Sequence, residues 1–341
     1  MKFISRKDFF KLLDVLKTDY DVFVPFKEGT QRFFDRYTSP NEKIVLGEVR
    51  PFEPLKVFFT RAREVVAQDF NDTVPSHDNK PFAVVGVKAC DLKGFKVQDY
   101  VFKDHDYEDP FYLKNRQENL IISCDCTCAL ETCFCLGMDV TPYPQENYDL
   151  NLSEIEGGFV VETGSPKGEK LINNHSSFFQ NARPELIAKR DGNRKSVTSA
   201  IEENISKAKV PAQDQFAGMI ERNFEAKIWE EEANTCVECG ACNMICPTCH
   251  CFLLYDQKDE KKMERLRIWD SCMLKDFARV AGGANPRPKL WMRLRNRFEK
   301  KFDFFPKVAD IYACTGCGRC ITACPAKIDI RKVLKRLVDN A

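Results

Sequence analysis

Short apolar blocks separated by charged and turn-forming residues run along the first half of the chain. Ser5 stands just before apolar positions at Phe9, Phe10, Leu12, Leu13 and Leu16, which predicts a first helix capped by a serine. Asp21-Val22-Phe23-Val24-Pro25 reads as a strand. The run Phe82-Ala83-Val84-Val85-Gly86-Val87 is continuously apolar, as a buried strand would be, and ends at Lys88-Ala89-Cys90-Asp91. Asn119-Leu120-Ile121-Ile122-Ser123 reads as a second buried strand and leads directly into a cysteine-rich segment. Because α/β folds place functional loops at strand ends, Cys90 and residues 124–135 are expected to converge. Residues 158–172 read as a hairpin around a Gly/Ser/Pro turn. Residues 176–233 read as helical and charged, punctuated by Asp191-Gly192-Asn193 and Pro211. A last helix near residues 330–338 keeps Val333, Leu334, Leu337 and Val338 on one face.

Two cysteine runs near the C-terminus add the chemistry. They are Cys236-x2-Cys239-x2-Cys242-x3-Cys246-Pro247 and Cys314-x2-Cys317-x2-Cys320-x3-Cys324-Pro325. Each has the spacing of a bacterial [4Fe-4S] ligand run, in which three cysteines wrap one cluster and the fourth, before proline, ligates the other. One cluster is therefore expected on Cys236, Cys239, Cys242 and Cys324, the other on Cys314, Cys317, Cys320 and Cys246. Gly240, Gly316 and Gly318 suit a backbone bending closely around sulfide. Zinc sites pair one CxxC with a distant one, and the triple spacing here is a different pattern. The fold class expected is α+β. Residues 1–175 form an α/β domain, 176–230 a helical connector, and 231–341 a mainly α-helical, ferredoxin-like domain with two [4Fe-4S] clusters.

Composition narrows the setting. The net charge of +1 and the lack of a recognisable DNA-binding motif argue against nucleic acid as partner. No apolar stretch approaches the ~20 residues of a transmembrane helix, and the charged N-terminus is unlike a secretory signal. A cytoplasmic protein, or a peripheral subunit of a complex, is expected. There the 17 cysteines are better explained by metal than by disulfides. No dinucleotide fingerprint follows a strand, Gly164-Ser165-Pro166-Lys167-Gly168 is placed in the hairpin turn, and His77, His105, His175 and His250 are scattered. No residue is assigned a catalytic role.

Six more thiols lie upstream: Cys90, Cys124, Cys126, Cys128, Cys133 and Cys135. The strings Gly86-Val87-Lys88-Ala89-Cys90-Asp91-Leu92 and Thr132-Cys133-Phe134-Cys135 resemble the family of sulfhydrogenase β subunits and anaerobic sulfite reductase A subunits. So do Cys246-Pro247-Thr248-Cys249-His250-Cys251-Phe252, Trp269-Asp270-Ser271-Cys272 and Ala281-Gly282-Gly283-Ala284-Asn285-Pro286-Arg287. The resemblance implies a third [4Fe-4S] cluster on Cys90, Cys126, Cys133 and Cys135. Cys124 and Cys128 flank Cys126, and either is a candidate to replace it; zinc-binding or purely structural thiols are the other reading of this group. The chain carries Lys88-Ala89 where many members carry Arg-Pro, which is expected to relax the turn at Cys90.

The resemblance further implies an iron–sulfur electron-transfer subunit of anaerobic metabolism. It would relay electrons between a flavoprotein NAD(P)-reductase or ferredoxin-linked subunit and a catalytic reductase or hydrogenase subunit. The alternative is an N-terminal cluster domain that is itself a reductase site. Cys249, Cys251 and Cys272 remain, either as buried thiols beside the clusters or, with His250, as ligands of another metal. Residues 287–301, rich in Arg and Lys, read as a solvated helix face or a docking surface for an acidic redox partner, with Trp291 and Phe298 as anchors or core.

Overall fold

A computed structural model of the chain describes residues 1–69, 80–104, 107–259 and 262–340. His77 and His105 lie outside the described residues. The strands are β1 (Lys2–Ser5), β2 (Asp21–Glu28), β3 (Gln31–Arg36), β4 (Arg63–Gln68), β5 (Phe82–Val87), β6 (Leu120–Cys124), β7 (Leu150–Ile155), β8 (Gly158–Thr163), β9 (Gln180–Asn181), β10 (Phe252–Asp259) and β11 (Lys262–Trp269). Eight of them form one sheet in the order β3-β2-β5-β6-β7-β8-β1-β9. Its centre, β2-β5-β6-β7, is parallel, and the flanking pairs are antiparallel. A second, antiparallel sheet joins β10, β11 and β4. With helices throughout and sheet concentrated in the N-terminal half, the chain is α+β.

The apolar blocks behave as buried parallel strands should, covered on both faces. Ala83 and Val85 of β5 join Leu120, Ile122 and Cys124 of β6 on one face, under Phe9, Leu12, Leu13 and Leu16 of the helix Arg6–Leu16. Val84 and Ile121 face the other way, against Leu92, Phe95, Phe102 and Tyr112 from the helices Ala89–Phe102 and Pro110–Glu118. Gly86, at φ +78, shifts the β5 register, so Val87 joins that second face as well. Ser5 caps the first helix by accepting from the Asp8 N–H. The cysteine-rich half has its own core around Trp229, Phe298, Phe302, Phe216 and Leu334. Each such apolar side chain, fully buried, contributes about 1.5–3 kcal/mol.

Two expectations fail for identifiable reasons. Residues 158–172 are not one hairpin. The turn comes earlier, at Glu156-Gly157, where Gly157 has φ +84, and β8 pairs back onto β7. Beyond it Ser165 accepts from the Gly168 N–H and Pro166 occupies the first turn, so residues 166–174 are helix. Gly164 to Gly168 is thus a helix start, not a hairpin turn. Nor does Asp191-Gly192-Asn193 interrupt the helical region: a single helix of 25 residues, Pro184–Ala208, passes through it. Arg190 pairs with Glu162 and Arg194 with Asp125 on either side of Gly192, and these anchors to the sheet outweigh the ~1 kcal/mol helix cost of one glycine.

The helix at 166–174 sits so close to β7 that a Cβ on Gly168 would lie 1.9 Å from the Asp149 carbonyl oxygen. Gly168→Ala is expected to destabilise the full chain by about 1–3 kcal/mol or more in denaturant unfolding. Wild-type stability would mean that residues 166–174 do not pack as described.

Candidate metal centres

The parallel strands β5 and β6 end side by side and deliver the upstream cysteines to one place. Cys90 lies in the first turn of the helix that follows β5, with Ala89 as its first residue, so the Lys88-Ala89 departure leaves that helix start formed. The segment after β6 is held by a buried hub. The Asp125 N–H donates to the Leu152 carbonyl, while the Asp125 carboxylate accepts from Asn151, Ser153 and Arg194. Cys126 N–H donates to the Pro142 carbonyl at 2.9 Å. The result is a cavity lined by Cys90, Cys126, Cys128, Cys133 and Cys135, with Val49, Ala89, Ala129, Pro142 and Ile201 as apolar wall. Cys124 is apart from it, fully buried in the sheet core beside Ile122 and Leu152. Cys128 is exposed at the rim.

The second cysteine run docks directly on this cavity. Cys317 and Gly316 line it too. Phe134 N–H donates to the Gly316 carbonyl at 2.9 Å. A Cβ on Gly316 would meet the Cys135 Cα at 2.5 Å, and one on Gly318 the Thr132 carbonyl oxygen at 2.2 Å. Both glycines have positive φ, so any side chain would be strained as well as blocked. Arg50 donates to the Cys317 carbonyl and lies 3.4 Å from the Thr132 hydroxyl. Arg319, next to Cys320, makes two bonds to the Asp91 carboxylate, next to Cys90, at 2.9 and 2.8 Å, with both side chains buried.

A second cavity is lined by Cys236, Cys239, Cys242 and Cys324, the set expected from the exchange of fourth ligands, and also by Cys320. Met273, Leu294, Pro325, Ile328 and Ile330 make its apolar wall. Cys320 lines this second cavity and Cys317 the first, while Cys246 and Cys314 line neither.

Burial pushes these thiols up: Cys126 to about 11, Cys242 and Cys314 to about 12, and Cys90, Cys133 and Cys135 upward too. Thiolates at such depth need positive charge, and a metal group that supplies it displaces the protons. Soft thiolates in cavities with apolar walls suit an iron–sulfur group. Among the described residues no three Cys, His, Asp or Glu side chains close on a single ion-sized point. Five of the upstream thiols instead line one cavity together with Cys317, and Cys236, Cys239, Cys242, Cys320 and Cys324 line another.

Buried cations supply positive charge beside the thiols. Lys88 is fully buried, its ammonium donating to the carbonyls of Leu46, Cys124 and Asp125. Lys56 donates to the Asn243 and Cys249 carbonyls and stands over the Trp269 ring. The basic residues 287–301 are neither a solvated face nor a docking surface as a whole: Arg293, Arg297 and Lys301 are buried and turned toward the cysteine loops. Phe298 is core, not an interface anchor. Lys301 donates to Cys246 Sγ at 3.3 Å. The sequence signal was present, since Arg293, Arg297 and Lys301 recur every four residues, but it does not say which way that face turns.

The remaining thiols lie beside this array. Cys249 hydrogen-bonds Cys246 and, with Lys301 and Lys56, draws its thiol below the usual range. Asn243 donates to Cys272 Sγ at 2.9 Å, and burial raises Cys251, facing Cys272, to about 11. His250 packs edge-on against Phe305, its Nδ1 is 3.0 Å from the Thr248 carbonyl, and burial lowers it to about 4, leaving it neutral. His175 lies elsewhere, stacked on Phe178.

A family model described as a 4Fe-4S dicluster domain matches residues 235–328. The sulfhydrogenase 2 β subunit of Pyrococcus furiosus is 30% identical over 315 residues, 92% of this chain and 91% of that one. The chain belongs to the sulfhydrogenase β-subunit family. A pyruvate-flavodoxin oxidoreductase of Trichormus variabilis is 28% identical over 106 residues, 31% of this chain and 7% of that one. No solved structure matches. As a member of the β-subunit family with a dicluster domain, the chain is an iron–sulfur electron-transfer subunit carrying [4Fe-4S] clusters. No helix among the described residues is long and apolar enough to cross a membrane.

The Asp91–Arg319 pair ties the two cysteine regions of this β-subunit relative together. Asp91→Asn leaves a buried guanidinium without its counter-charge and is expected to cost about 3–5 kcal/mol in denaturant unfolding. Lys335→Ala, which breaks the exposed pair with Asp339, is expected to cost less than about 1 kcal/mol. Equal effects from the two would remove the buried pair from its structural role.

Proposed function

We propose that the chain holds three [4Fe-4S] clusters in a row and relays electrons within a hetero-oligomeric, cytoplasmic oxidoreductase. The ligands in this reading are Cys90, Cys126, Cys133 and Cys135 for the N-terminal cluster, then Cys314, Cys317, Cys320 and Cys246, then Cys236, Cys239, Cys242 and Cys324. One observation carries it: the second run spans both cavities, with Cys317 in the wall of the first and Cys320 in the wall of the second. When bound, such clusters accept and release single electrons. The chain's own residues hold the thiolates, exclude water with apolar walls, and place cations beside the anionic sulfur.

In this reading residues 1–175 form the α/β cluster domain, 176–230 the connector and 231–341 the dicluster domain, with β4 reaching across to pair with β11. Family membership supports a place beside a flavoprotein reductase or ferredoxin-linked subunit on one side and a catalytic reductase or hydrogenase subunit on the other. Cys239, exposed, marks one end of the row and Cys128, exposed at the rim of the first cavity, the other. Cys128 also favours the second reading, a reductase site in the N-terminal domain. Turnover by the isolated subunit with an artificial electron donor would support that reading; inactivity without partners supports the relay.

Iron and sulfide analysis of anaerobically prepared chain, with EPR after reduction, tests the count. About twelve iron atoms are expected for three four-iron clusters, falling to about eight in a Cys90→Ser, Cys133→Ser variant. About eight in the wild type would remove the N-terminal cluster, and zinc without iron would overturn the reading.

A further inference from the structure

The helix Leu290–Glu299 and the turn after it aim Arg293, Arg297 and Lys301 inward, and the three are satisfied in different ways. Arg293 pairs with Glu238 at 2.7 Å and donates to the Arg287 and Pro288 carbonyls. Lys301 donates to Thr248 Oγ1 and the Ala313 carbonyl, both at 2.8 Å, as well as to Cys246. Arg297 differs from both. It is 5% exposed, its Nε, like that of Arg293, is buried with no hydrogen-bond partner, among the described residues no carboxylate pairs with it, and its side chain hydrogen-bonds the Cys320 thiol. Its guanidinium lies 5.7 Å from the Phe298 ring centre and lines the cavity of Cys236, Cys239, Cys242 and Cys324, where Cys320 of the second run also projects. A guanidinium buried without an anion is costly. Among the described residues that line this cavity the only groups able to become anions are thiols, and in the cluster reading above they belong to the ligand sets of two different clusters.

We propose that Arg297 is a positioning residue that raises the reduction potentials of both dicluster-domain clusters and couples them, by standing between their ligands. The inference rests on the cluster reading above. A cluster with its four thiolates is net anionic and gains a further negative charge on reduction, with one electron entering and no bond made or broken. A fixed cation in a low-dielectric site therefore stabilises the reduced form more than the oxidised one. Standing between two such groups, it also screens the repulsion that the first electron exerts on the second. Bulk salt replaces it poorly, because Arg297 itself is buried.

The test uses the full chain, prepared anaerobically as wild type, R297Q and R297K, with iron content and EPR-monitored redox titration. R297Q is expected to retain iron while both dicluster signals shift to more negative potential and their two midpoints move apart. The N-terminal cluster, whose cavity Arg297 does not line, is the internal control and should not shift. R297K should restore most of the wild-type potentials. Unshifted dicluster potentials in iron-replete R297Q, or an equal shift of all three clusters, would overturn the assignment. If R297Q fails to load iron, R297K decides: full iron with near-wild-type potentials supports the role of charge, and iron loss in R297K as well overturns it. A wild-type chain without iron would overturn the cluster reading itself, whereas an iron-replete wild type with an unshifted R297Q overturns this inference alone.

Discussion

The contact of two loops, backbone against backbone, is what the rest of the structure depends on. Gly316 and Gly318 of the second cysteine run lie against residues 132–135 so closely that no Cβ fits at either glycine. Every member of the contact is next to a thiol in sequence: Thr132 before Cys133, Asp91 after Cys90, Gly316 before Cys317, Arg319 before Cys320. The contact brings the two cysteine-bearing loops together with nothing between them. The buried Asp91–Arg319 pair adds specificity more than stability, because two charges taken out of water regain little net energy from each other. Its two parallel hydrogen bonds hold the relative orientation of the loops, which a purely apolar contact would define less sharply.

Positive charge is the second organising constraint. The chain as a whole is nearly neutral, yet Lys56, Lys88, Arg297 and Lys301 are buried, and none is paired with a carboxylate among the described residues. They donate to carbonyls, to thiols, or in the case of Arg297 Nε to nothing. Such an arrangement is unfavourable around empty apolar cavities and reasonable around anionic sulfur. Other ion pairs, such as Lys335 with Asp339 and Arg336 with Glu231, lie at the surface.

Much of this was legible along the chain. The buried strands at residues 82–87 and 120–124 are readable because a fully covered parallel strand leaves a continuous apolar run. The ligand runs are readable because three thiols wrapping one cluster must be closely spaced. One misread segment is where long-range contacts outweighed a local signal, and the other is where a local helix-start signal outweighed a turn-like composition. Gly192 stays helical because Arg190 and Arg194 are anchored to the sheet on either side, and residues 166–174 are helix because a Ser cap and a proline decided the start.

The sequence by itself determined the chemistry: which cysteines form runs, and that two strands end near thiols. Only the tertiary structure decided geometry and charge. It put Cys124 in the sheet core and Cys128 at the rim, although the two are equally near Cys126 in sequence, because strand alternation turns one inward before the chain leaves the sheet. It turned Arg293, Arg297 and Lys301 from an apparent solvent face into the wall of the cysteine sites. A helix pattern states which residues share a face, and only packing states what that face meets.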